Sequence, residues 1–145
     1  MKPTQQSYEQ LTLHGVKPSV QRLAVMEYLL THRTHPTVDE IYRALVNKIP
    51  TLSKATVYNT LKLFVSHGLS RMLTIDEHNA CFDADMSPHA HFFCTSCSHV
   101  LDLPMPVTDT SSLLGAAAGY RVDGVDLYYR GLCPSCVKRQ AEESA

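Results

Sequence analysis

No part of this 145-residue chain approaches the apolar run of roughly 20 residues that a membrane-spanning helix needs. The opening stretch, Met1 to Leu13, is polar and lacks the apolar centre of a secretory leader. Both absences point to a cytoplasmic protein with no membrane partner. A reducing compartment in turn argues against stable disulfides among the five cysteines. Internal repeats and low-complexity segments are also missing. Net charge is close to absent, at -1, which taken alone argues against a nucleic-acid partner. The average hides an asymmetry. Residues 1–72 carry nine Lys/Arg against four Asp/Glu, whereas residues 73–145 carry four against ten. One reading is ordinary surface variation. The other is a basic functional half followed by an acidic half that holds cations. With 44% apolar residues the chain can bury a real core, as one ordinary domain or two small ones.

The first half has the pattern of helices. Pro3 to His14 predicts an opening helix that ends at Gly15, and Pro18 to about His32 predicts a second. A third begins at "TVDE", where Thr37 and Glu40 stand at capping-box spacing. Its apolar residues Val38, Ile41, Tyr42, Leu45, Val46 and Ile49 recur with a helical period, and Pro50 stops it. "SKATVYNTLKLFVSHG" predicts a fourth helix with Ser53 as N-cap and Gly68 just past its end. "LSRMLTI" and "ACFDA" then read as two short strands around the turn "DEHN". Helices followed by a two-stranded wing is the element order of a winged helix-turn-helix. "DMSPH" reads as a linker. Beyond it "HFFC" and "HVLDL" predict short strands, Val107 to Ala118 a weaker helix, and "YRVDGVDLYYRGL" a β-rich stretch with a bulge at Gly124. The "AEESA" tail reads as frayed. The fold class expected is α+β, with a winged-helix domain at 1–84, a hinge at 85–89 and a small α/β domain at 90–145.

Four cysteines form two pairs, Cys94-x-x-Cys97 and Cys133-x-x-Cys136. Two residues between sulfurs make a tight knuckle that wraps one ion, and two such knuckles supply a tetrahedral zinc. A Zn(Cys)4 shell is closed, so this zinc is structural. Two redox-active vicinal pairs are the competing reading.

A harder set of donors surrounds it. His89 and His91 are separated by one residue, so on a strand their rings share a side. Asp83 precedes them across the linker, Asp102 follows the first knuckle, and His35 lies just before the third helix. A surface His-x-His beside a zinc knuckle would leave all of these without a role. Taken together, three imidazoles and two carboxylates suit five-coordinate Fe(II) or Mn(II), with Zn(II) or Co(II) able to substitute.

The segments "HPTVDEIYRAL", "SKATVYNTLKLF", "FDADMSPHAHFFCTSC", "VLDL" and "GLCPSC" resemble the ferric-uptake-regulator (Fur) superfamily of bacterial metalloregulators over roughly residues 10–138. The resemblance implies a DNA-binding winged-helix domain, a dimerisation domain at the C-terminal end, and a homodimeric repressor that binds double-stranded DNA when a regulatory metal is bound. It implies His35, Asp83, His89, His91 and Asp102 as the regulatory ligands. Aspartate at both acidic positions is similar to the peroxide-sensing branch, whereas the iron-uptake branch typically has glutamates there. In the peroxide-sensing branch iron(II) reacts with hydrogen peroxide and oxygen is added to a ligating imidazole, so the resemblance points to His35 and His89 as the oxidation targets. The iron-uptake branch often has a further site in a run "HHDH". The matching run here, Pro88 to His91, lacks it. Cys81, two residues before Asp83, blurs the branch. It reads as a strand filler, as a soft ligand of the zinc-uptake kind, or as a redox-reactive thiol. Repressors of iron or zinc uptake therefore remain the alternatives.

The exposed side of the fourth helix offers Ser53, Lys54, Thr56, Tyr58, Asn59 and Lys62, with no acidic residue. Asn59 suits a base edge and Tyr58 a thymine methyl, while Lys54, Lys62 and Arg22 suit phosphates. Lys17 resembles the family's basic residue that enters the minor groove of an A·T-rich palindromic operator. His14, His32, His67, His78 and His99 read as surface or local packing residues. Two other classes compete. A hydrolytic metalloenzyme would use His89, His91, Asp83 and Asp102 with an open coordination position, but no general base is evident and His35 would crowd the metal. A zinc-ribbon interaction module would show no metal-dependent DNA affinity. The expectation is a regulator and not an enzyme.

Overall fold

The computed structural model describes residues 5–75, 79–106 and 115–144. The chain forms two compact units, Met1–Met86 and Ser87–Ala145. Among the described residues no helix is long and apolar enough to cross a membrane.

The first unit holds helices α1 (Gln5–Leu13), α2 (Val20–Thr31), α3 (Val38–Leu45) and α4 (Lys54–Ser66), then strands β1 (Arg71–Leu73) and β2 (Cys81–Asp83). Local sequence sets the helix boundaries. The side chains of Ser19, Thr37 and Ser53 each cap a helix by accepting a backbone N–H, from Arg22, Glu40 and Thr56 respectively. Gly68 ends α4 with φ +75°, a left-handed conformation that costs glycine nothing. The apolar faces of all four helices converge. Leu11, Val25, Met26, Leu29, Ile41, Leu45, Val57, Leu61 and Phe64 are almost entirely buried, and Phe82 of β2 joins them. Each such side chain contributes about 1.5–3 kcal/mol by leaving water. One polar pair lies within this core, where Ser7 donates its hydroxyl hydrogen to the Glu27 carboxylate between α1 and α2.

β1 and β2 are antiparallel, with Arg71 opposite Asp83 and Leu73 opposite Cys81. The loop before α3 is stitched to β2 as well. Phe82 N–H donates to the Pro36 carbonyl at 3.0 Å, and Thr37 forms a bridge with Cys81. α3 is shorter than its apolar period predicts. Regular helix stops at Leu45, and Ile49 reaches the core from the turn that follows.

The second unit is a three-stranded sheet in the order β4-β3-β5, from β3 (Ala90–Cys94), β4 (Val100–Leu103) and β5 (Tyr128–Gly131), followed by α5 (Pro134–Glu143). β3 and β4 are antiparallel, with His91 opposite Asp102. β3 and β5 are parallel, with Cys94 opposite Gly131. Three expectations change here. The β-rich stretch narrows to Tyr128–Gly131, so Gly124 lies outside any strand. The residues before it, Val122 and Val125 among them, remain exposed and bury no face. The tail is helical through Glu143, because Pro134 stands at the first helical position, where its fixed φ and missing N–H favour initiation. Of the helix expected over 107–118, residues 107–114 lie outside the described residues, and Gly115–Ala117 form a single 3-10 turn. Residues 76–78 of the expected "DEHN" turn, His78 among them, also lie outside the described residues.

Candidate metal centres

The sheet of the second unit brings the two C-x2-C pairs together. Cys94 ends β3 beside Gly131 of β5, and Cys133 caps α5, which carries Cys136. One donor atom from each of the four cysteines lies within 4.8 Å of the others. The Cys97 and Cys133 sulfurs are 3.9 Å apart. A tetrahedral zinc with bonds of ~2.3 Å requires sulfurs about 3.8 Å apart, so the cluster has the size of a zinc shell. Its electrostatics agree. Backbone N–H groups of Cys133 and Cys97 point at the Cys94 sulfur and pull its thiol down to about 6. Neighbouring thiols, Cys133 foremost, together with burial push Cys136 up to about 12. Four thiolates at this spacing repel one another unless a cation neutralises them. The chemistry of the donor set therefore fits zinc.

The harder donors form a group in each unit. In the first, His35 Nε2 and Asp83 Oδ2 are 3.5 Å apart, with both side chains about 95% buried. His35 sits in the left-handed region, φ 59°, at the start of the loop stitched to β2. Asp83 lies two residues past the Cys81 bridge on that strand. Its Oδ1 accepts the Asp85 N–H at 2.8 Å.

In the second unit, Asp102 of β4 meets both histidines. Its Oδ1 lies 3.2 Å from His89 Nε2 and 3.5 Å from His91 Nε2. The two rings meet edge to face, with centroids 4.4 Å apart. His91 is on β3 directly opposite Asp102, and His89 precedes the strand. The His89 tautomer can be assigned. Its Nδ1 is 2.7 Å from the Ser87 carbonyl, which can only accept, so Nδ1 carries a hydrogen and Nε2 is the ring nitrogen turned towards Asp102. These imidazole and carboxylate donors fit a hard or borderline divalent ion.

Cys81 is buried on β2, and its thiol faces the Leu73 carbonyl at 3.9 Å. His14, His32 and His67 have local partners: the Gln10 carbonyl at 2.9 Å, the Tyr28 ring stacked at 4.0 Å, and the His14 carbonyl at 2.8 Å respectively.

Lys17, Arg22, Thr56 and Asn59 line one cleft of about 500 Å³ between the start of α2 and α4. Gln21, not singled out in the sequence, lines it too. The only sequence signal for it was its place beside Arg22. Arg22 donates to the Lys17 carbonyl at 2.9 Å, which fixes both residues at the cleft. The other residues of the α4 face have prior partners. The Ser53 hydroxyl is occupied as the cap, 3.0 Å from Thr56 N and 2.8 Å from Thr56 Oγ1. Lys54 Nζ is 2.7 Å from Asp39, whose carboxyl is held below its usual value by that hydrogen bond and by Arg43. Lys62 lies over the Tyr58 ring at 5.9 Å, and Tyr58 itself is exposed.

The sequence model of the ferric uptake regulator family matches residues 13–130. The peroxide operon regulator of Bacillus subtilis (strain 168) is 38% identical over 136 residues, which cover 93% of this chain and 94% of that protein. The structure of the peroxide sensor and gene regulator PerR from Streptococcus pyogenes superposes with a TM-score of 0.51 at 28% identity, covering 94% of each chain. A zinc uptake regulator solved with zinc and DNA superposes with a TM-score of 0.70 at 22% identity, covering 94% of this chain and 93% of that one.

Proposed function

This chain belongs to the ferric uptake regulator family, and from that premise we propose that it is a metal-dependent transcriptional repressor that responds to peroxide. It is a regulator and not an enzyme. It acts as a homodimer on double-stranded DNA in the cytoplasm. One observation carries the peroxide assignment. In both units the acidic partner of the imidazoles is an aspartate, Asp83 beside His35 and Asp102 beside His89 and His91. Two regulators named for peroxide are 38% and 34% identical to this chain over 93% and 91% of its length.

In this reading Cys94, Cys97, Cys133 and Cys136 hold the structural zinc, and His35, Asp83, His89, His91 and Asp102 hold one regulatory metal, Fe(II) or Mn(II). Residues 1–84 form the winged-helix DNA-binding domain, 85–89 the hinge and 90–145 the dimerisation domain. The α4 face with Lys17 and Arg22 meets an A·T-rich palindromic operator. Lys17, Arg22, Lys54 and Lys62 touch the phosphate backbone and groove edges, while Tyr58 and Asn59 read bases and Ser53 and Thr56 fix the start of the helix. The five metal-binding side chains come from both units, so filling the set favours one presentation of the two recognition helices. Dimeric helix-turn-helix proteins depend on that spacing. Iron(II), when bound, supplies the electrons that reduce hydrogen peroxide beside these imidazoles, whereas manganese(II) fills the set without that chemistry. His35 and His89 are the rings that take up oxygen. A ring so modified is a poor donor, the set falls short, and the DNA is released. Cys81 serves as strand filler.

The test follows DNA release and peptide mass together after a small dose of hydrogen peroxide is given to Fe(II)-loaded, operator-bound protein. Release with one added oxygen on the peptides bearing His35 or His89 is expected, and Asp102→Glu is expected to blunt both. Retained DNA with unmodified histidines would move the reading to an iron- or zinc-availability repressor.

A further inference from the structure

The four cysteines are unequally sheltered. Cys94, Cys133 and Cys136 are buried, and Cys97 is the residue left partly open to solvent. A protein that meets peroxide as its signal presents that residue to the same oxidant. Outside the ligand set, the His99 and Arg139 side chains bring nitrogen atoms to the sulfurs of the cluster. Ser98 takes a left-handed backbone conformation, φ 64°, and its N–H closes on the Cys94 carbonyl at 2.8 Å. The chain folds back there, and His99 Nδ1 comes to 3.1 Å from the Cys97 sulfur. Arg139 of α5 places one guanidinium nitrogen 3.1 Å from Ser96 Oγ and 3.6 Å from the Cys136 sulfur. Arg139 thus spans both knuckles.

We propose that His99 and Arg139 are positioning residues that protect the structural zinc from peroxide, by donating N–H hydrogen bonds to the Cys97 and Cys136 sulfurs. This rests on the Zn(Cys)4 reading above. A thiolate bound to zinc has no hydrogen of its own, so its neighbour His99 must donate through Nδ1. Four thiolates around one zinc carry net negative charge, which the guanidinium offsets. Both effects draw electron density from sulfur, and electron density on sulfur is what attacks peroxide. The reaction they slow is a two-electron oxidation. The Cys97 thiolate takes one oxygen of hydrogen peroxide as the O–O bond breaks. The other oxygen leaves as hydroxide and is protonated to water. The sulfenic acid left on Cys97 is a poor ligand, and zinc is lost.

The test uses the full-length chain, loaded with Mn(II) rather than Fe(II) so that histidine oxidation does not intervene. Zinc content is measured first. Hydrogen peroxide is then added, zinc release is followed with a metal indicator, and the peptide bearing Cys97 is weighed. His99→Phe keeps a ring of similar size without a donor, His99→Gln restores an N–H, and Arg139→Met keeps the stem without the charge. The expected result is release about tenfold faster in His99→Phe and Arg139→Met, with oxygen added at Cys97 and near-normal behaviour in His99→Gln. Zinc-containing variants that release at the wild-type rate would overturn this inference alone. A purified chain holding no zinc would overturn the zinc reading and this inference with it.

Discussion

In the first unit the apolar core is built of leucine, isoleucine, valine, methionine and phenylalanine, drawn mostly from four helices and a strand. In the second, the cluster around which β3 and α5 meet consists of Cys94, Cys133 and Cys136, with Phe92, Cys97 and Leu132 packed against it. Much of the remaining apolar surface there, including Leu101, Leu103, Tyr129 and Val137, stays exposed. The first unit can remain folded on apolar burial. The second is too short for that, and small domains of this kind depend on a metal or another staple. Folding stability and metal occupancy are therefore separate questions in one half of the chain and the same question in the other.

Zinc removal should break the comparison most sharply. Stripping the metal with a strong chelator, or replacing any one of the four cysteines with serine, should abolish ordered structure in the second unit, since structural zinc contributes ~10–16 kcal/mol in finger peptides. Hydrogen exchange resolved by peptide should show protection lost over β3, β5 and α5 and kept over α2 and α4. Equal protection in both units would mean that the second has a core of its own. The converse experiment is smaller. Leu61→Ala removes a fully buried side chain from α4 and should cost about 2–5 kcal/mol. It should lower the unfolding temperature of the first unit while leaving zinc content unchanged. Smallest is the loss of a cap. Ser53→Ala should cost ~1 kcal/mol, visible as a modest shift in the urea midpoint of the first unit alone.

The same division explains what was legible beforehand. α3 and α4 could be read because apolar period, capping residue and stop signal agree along one stretch of chain, as at Thr37, Ser53 and Gly68. The four-cysteine cluster could be read because the spacing within each pair is local and sulfur chemistry is specific. Other features depend on which distant segments meet. The parallel pairing of β3 with β5 leaves no mark on either strand, and the exposed residues 121–126 imitate a half-buried alternation outside any strand. α5 carried a fair signal in Pro134 followed by good helix formers, which the cysteine motif overshadowed. The contact between His99 and Cys97 had none, because it depends on Ser98 adopting a backbone conformation uncommon for serine.

The pairing of β3 with β5 also fixes an order of events during synthesis. The ribosome finishes Met86 well before it reaches Cys133, and domains generally fold as they emerge, the N-terminal one first. The helical unit is thus complete while β3 still waits for its parallel neighbour, and while Cys94 and Cys97 are two bare thiols with half a binding site. Closure of the second unit waits for β5 and α5, which are made after β3. In that interval the chain holds only half of the four-cysteine set, and the other half arrives with Cys133 and Cys136.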